Sequence, residues 1–128
     1  MAKTPDERWK STIIGYRKNC QKIISISKSI RYVGVINEFG RTLTGIMQTG
    51  FKPLLKPEEA KNEFFVISNL ITLRSSQTKS LGQLDHVVLT HKNAKVICIP
   101  NKQVMYYISV NSNTKSLDEI IKKTKSFV

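Results

Sequence analysis

Apolar residues recur along the N-terminal stretch at alternating steps of about three and four. Trp9, Ile13, Tyr16, Cys20, Ile23 and Ile30 form the stripe, and Ile14, Ile24 and Ile26 widen it. That spacing predicts a helix burying one long face, and it suits packing against a second subunit. Thr4 as N-cap, Pro5 at the first helical position and Glu7 in a capping box start this helix, which runs over about 5–30.

The period then changes to two. Tyr32 to Asn37 is β-branched and aromatic, Glu38-Phe39-Gly40-Arg41 supplies a turn, and Thr42 to Met47 alternates polar and apolar. Gly50 to Pro57 carries two prolines and predicts a connector. Pro57, Glu58 and Glu59 start a second helix, with Ala60, Phe64, Ile67 and Ile71 as its buried stripe, widened by Phe65, Leu70 and Leu73. It ends between Ser75 and Gly82. Three strands follow: His86 to His91, Ala94 to Ile99, and Val104 to Val110, with turns at Lys92-Asn93 and Pro100-Asn101-Lys102. A closing helix begins at a capping box, Ser116 to Glu119, and carries Leu117, Ile120, Ile121, Thr124 and Phe127 on one side.

The predicted architecture is α+β, in the order α-ββ-α-βββ-α. It is a single five-stranded antiparallel sheet with packed helices, the middle helix crossing one face. A chain of 128 residues forms one domain, residues 1–128, and needs no disulfide or metal staple. Its two cysteines, Cys20 and Cys98, exclude a disulfide scaffold and a thiolate zinc site, and read as small buried hydrophobes. No apolar run reaches the ~18 residues of a membrane span, and the N-terminus lacks a signal peptide's apolar core. A soluble, cytoplasmic protein is expected.

Local patterns resemble the roadblock/dynein light chain family, within the profilin-like and longin-like group. Val35-Ile36-Asn37-Glu38-Phe39-Gly40-Arg41-Thr42-Leu43 is similar to that family's first hairpin. Leu81-Gly82-Gln83-Leu84-Asp85-His86-Val87-Val88-Leu89 is similar to its passage from central helix to third strand. Val104 to Val110 and Leu117 to Ile121 resemble its last strand and closing helix. The resemblance implies a non-enzymatic dimerisation or scaffold module that regulates a small GTPase or another protein assembly. The lysine-rich style also suggests an archaeal member. A long, very basic first helix and a proline-bearing connector depart from the family pattern.

Charge adds a second class of partner. Twenty-one Lys and Arg stand against nine Asp and Glu, a net charge of +12. No acid occurs between Glu7 and Glu38, so intrahelical pairs cannot neutralise the first helix. An acidic protein or a nucleic acid would relieve that repulsion. For self-association, a homodimer, the candidate residues are Trp9, Ile13, Tyr16, Cys20 and Ile23. For a phosphate backbone they are Lys10, Arg17, Lys18, Lys22, Lys28 and Arg31. Lysines around the closing helix suit its dipole.

No catalytic, cofactor or metal site is expected. His86 and His91, the only histidines, flank one strand on opposite faces. No nucleophile-elbow, zinc-protease or phosphate-loop pattern occurs. Gly40, Gly45 and Gly50 serve turning and close packing. A small-ligand sensor would need a pocket between the sheet and the central helix.

Overall fold

The structure is a computed structural model that describes Ala2 and residues 4–128. Helix α1 spans Pro5–Ile24, β1 Ile30–Asn37, β2 Thr42–Met47 and α2 Pro57–Arg74. A 3-10 turn at Ser75–Gln77 leads to a short α3, Thr78–Leu81. Then come β3 (Val87–Thr90), β4 (Ala94–Asn101), β5 (Val104–Asn111) and α4 (Leu117–Phe127).

All five strands form one sheet in the order β2-β1-β5-β4-β3, and every neighbouring pair is antiparallel. The sequence order of elements is as predicted, apart from the added α3. Strand β5 lies at the centre, between β1 and β4, and is buried on both faces. That explains its unbroken apolar and aromatic run.

Two cores flank the sheet. On one face Cys20 and Ile23 of α1 and Ile120 and Ile121 of α4 pack on Val33, Val35, Ile97, Ile99, Tyr106 and Ile108. On the other, Phe64 and Ile67 of α2 pack on Ile36, Val96, Cys98, Met105 and Tyr107. The terminal helices therefore share the face opposite α2, a choice the residue pattern left open. A register shift between Ile30 and Tyr32 lets Ile30 join the α1 core while Tyr32 faces α2.

The capping box of α1 is present: the Glu7 amide donates to Thr4 Oγ1 and the Thr4 amide to Glu7 Oε2, each at 3.2 Å. Ser116 makes no side-chain cap, so α4 lacks the predicted box. The first helix also stops at Ile24 rather than near residue 30. Serines end it: Ser25 Oγ donates to Gln21 O at 2.8 Å, and the Ser29 amide donates to Ser27 Oγ at 3.1 Å. Local side-chain bonds of this kind compete with the helical ladder.

Candidate interaction site

Helix α2 is apolar on two sides. Glu59 Oε1 accepts the Lys56 amide at 2.9 Å and fixes the helix start. Phe64, Ile67 and the half-buried Ile71 then face the sheet. At 100° per residue, Phe65, Val66, Leu70 and Leu73 fall on the outward half. They are exposed, with Phe65 at 56%, Val66 at 52% and Leu73 at 73%. Phe65, Leu70 and Leu73 thus do not widen the buried stripe as expected. The sheet lies against one side only, and the helix has more apolar surface than that side can cover. The strand reached after α2 and α3, β3, pairs with β4 alone and leaves its other edge free.

The residues expected to join helices between subunits separate into two groups. Cys20 and Ile23 are fully buried against the chain's own sheet, so they present no surface to a partner. Tyr16 is half-buried and meets Tyr106 edge-on, ring centroids 6.5 Å apart. Ile13 is half-buried and Trp9 is 54% exposed. The apolar surface that α1 leaves exposed lies in its first half, at Trp9 and Ile14, with Ile13 half-covered.

The six cations expected to track a phosphate backbone are not on one helix face. Arg17 Nη1 donates to Thr44 Oγ1 at 3.3 Å, so it is a strut between α1 and β2. Lys22 lies over the Phe127 ring, 5.9 Å from its centroid. Lys10 and Lys18 are exposed on α1. Because α1 ends at Ile24, Lys28 lies in the following turn and Arg31 in β1. Arg31 joins a cleft on the α2 side of the sheet. The sheet stands between it and α1, so the six cations do not share the one basic helix expected over about 5–30.

That cleft occupies about 550 Å³ beneath the β2–α2 connector. Its floor includes Tyr32, Ala94, Val96 and Ser109, and its roof includes Leu54, Leu55 and Phe64. Tyr32 lies flat across Gly34 and Gly45, which face each other in the β1–β2 ladder. A Cβ on Gly34 would come within 2.6 Å of the Tyr32 hydroxyl, and one on Gly45 closer still. These two glycines are what let the ring fold down. Tyr107 donates to Glu63 Oε2 at 3.0 Å at the cleft wall. Burial raises the Tyr107 phenol far above its ordinary value, and the neighbouring Glu63 charge adds to this.

The nucleophile-bearing side chains are set for structure. Burial pushes the Cys20 thiol up to about 11 and the Cys98 thiol up to about 12. Neither supplies thiolate near neutral pH. Among the described residues, no group of three or more His, Cys, Asp and Glu could hold a metal ion. None of the described helices is long and apolar enough to cross a membrane. His91 lines the cleft, whereas His86 Nδ1 lies 2.5 Å from Asp85 Oδ2.

Lys125 of α4 also bonds Asp85, tying the closing helix to the segment before β3. Lys125, then His86, hold the Asp85 carboxyl below its ordinary value. A carboxyl depressed in the folded state adds stability above its unfolded value near ~4 and loses it as pH falls through the folded value. The pair is exposed, so the effect on stability is small. Lys125→Ala is expected to move the Asp85 titration upward, measured by carboxyl carbon NMR. An unmoved titration would show that the tie does not persist in solution.

No protein-family model and no curated protein matches the chain. Solved structures do match. Gliding protein MglB of Thermus thermophilus superposes with a TM-score of 0.72 at 10% identity, over 90% of this chain and 84% of that one. An MglB in a tetrameric arrangement gives 0.70 at 11% identity, over 99% of this chain and 87% of that one. The roadblock/LC7 domain of Streptomyces avermitilis gives 0.66 at 10% identity, over 86% of this chain and 88% of that one. The chain therefore has the roadblock/LC7 fold. Identities this low speak for architecture, and function must be argued from surfaces.

Proposed function

We propose that the chain is a non-catalytic, self-associating scaffold that regulates a small GTPase or a comparable protein assembly. The outward apolar face of α2 carries this reading. Phe65, Val66, Leu70 and Leu73 hold large apolar side chains in water, and a second copy of the same face would remove them from it. The free edge of β3 offers a further pairing site. The tetrameric arrangement of an MglB with the same fold supports self-association of this architecture. Trp9 and Ile13 in the first half of α1 supply a second surface, with Lys10 and Lys18 on the same helix. A net charge of +12 favours an acidic protein as the partner there.

Light scattering tests the first step. The expected mass at micromolar concentration is twice that of the 14.6 kDa chain. A single-chain mass up to about 100 μM, where even weak specific pairing would show, overturns the self-association reading. Purified small GTPases in their two nucleotide states test the second. Binding that depends on the nucleotide is expected, and equal or absent binding across them removes the GTPase assignment.

A further inference from the structure

We propose that the cleft under the β2–α2 connector binds a small organic monocarboxylate with an aromatic or branched apolar body. Its volume, about 550 Å³, lies within the range of small-ligand sites. Two sequence features make it. Small residues, Ala94 and Ser109, keep the floor low beneath the first turns of α2, where Ala60 is small as well. Pro53 and Pro57 stiffen the connector that roofs the space.

Arg31 gives the cleft its chemical preference. Its Nη1 donates to Asn111 Oδ1 and its Nη2 to the Lys52 carbonyl, both at 3.1 Å. Phe51 stacks beneath the guanidinium, 4.6 Å from ring centroid to Cζ. All these partners are neutral. The ion pairs among the described residues join Asp85 to His86 and Lys125, and Glu119 to Lys123, so none involves Arg31. A guanidinium has five N–H groups in a planar fork, and the two bonds to protein leave others for a carboxylate. It is thus a cation held in position, without an acidic partner, beside an apolar cavity. Lys52 lines the same mouth and adds a second positive charge. Glu63 lines the same cleft and disfavours a second negative charge on the ligand, which selects a monocarboxylate over a phosphate ester.

The test uses the full chain and calorimetric titration with 4-phenylbutyrate and its uncharged counterpart, 4-phenylbutanol. The carboxylate is expected to bind at least ~10-fold more tightly than the alcohol, the scale of a charge-assisted pair. Arg31→Gln is expected to abolish that preference while leaving alcohol binding in place. Ala60→Phe fills the cleft from α2 and is expected to remove binding of both compounds. This second variant decides the matter if Arg31→Gln loosens the connector. Equal binding of the two compounds, binding of neither at about 1 mM, or carboxylate binding untouched by Ala60→Phe would each overturn the proposal.

Discussion

Replacing Ile23 by Ala is expected to lower stability by about 2–5 kcal/mol, while replacing Ile14 by Ala changes it by less than about 0.5 kcal/mol. Both are isoleucines of α1, nine positions apart. Ile23 is fully buried in the core that α1 and α4 form on the sheet, whereas Ile14 is 55% exposed. Removing the Ile23 side chain leaves a void walled by strands and helices that cannot all collapse into it. Domains of this size are stable by only about 5–15 kcal/mol, so the loss is a large share. Urea unfolding midpoints measure both variants. A small effect at Ile23 would mean that α1 is not docked as described. Trp9→Lys completes the comparison. It should leave the midpoint nearly unchanged and weaken only contacts with a partner, because Trp9 is exposed and belongs to neither core.

The same helix shows what could be read from residues alone. Its start was legible because Thr4, Pro5 and Glu7 form a local device that needs no tertiary partner. Its end was not, since the apolar period continues through Ile26 and Ile30 after the helix has stopped. Serine side chains decide that boundary, and Ile30 reaches the core through a strand irregularity instead. The sheet was legible from one clean alternation, at Thr42 to Met47, and from short β-branched and aromatic runs bounded by turns. Asn37 was missed at the first of these: its Oδ1 accepts the amides of Phe39 at 3.0 Å and Arg41 at 2.9 Å.

The candidate sites were harder to read, because an apolar residue does not announce which neighbour covers it. Phe65, Leu70 and Leu73 fit a wide buried stripe equally well, and only the position of the sheet turns them outward. One signal was available: α2 carries apolar residues around most of its circumference, which a one-sided surface helix does not need. Arg31 looked like the last cation of a helix because the apolar period runs on to its neighbour Ile30. Its pairing with Asn111, 80 positions later, has no local trace in the sequence.

Charging the outward face of α2 is expected to separate the subunits without unfolding them. Val66→Glu with Leu73→Glu should weaken self-association by at least ~100-fold, since two buried carboxylates per copy would face apolar surface with no counter-charge. Neither side chain belongs to the core on the sheet, so the isolated chain should keep its stability within about 1 kcal/mol. Concentration separates the two effects. The unfolding temperature of the wild-type chain should rise with protein concentration, and that of the variant should not. Salt gives a second, opposite signature. Each copy carries +12, so like charges oppose pairing, and screening them should tighten the wild-type dimer. An interface built from ion pairs would loosen under the same change. A wild-type dimer that dissociates as salt rises would therefore move the interface away from α2, to a surface where cations of one copy meet acids of the other.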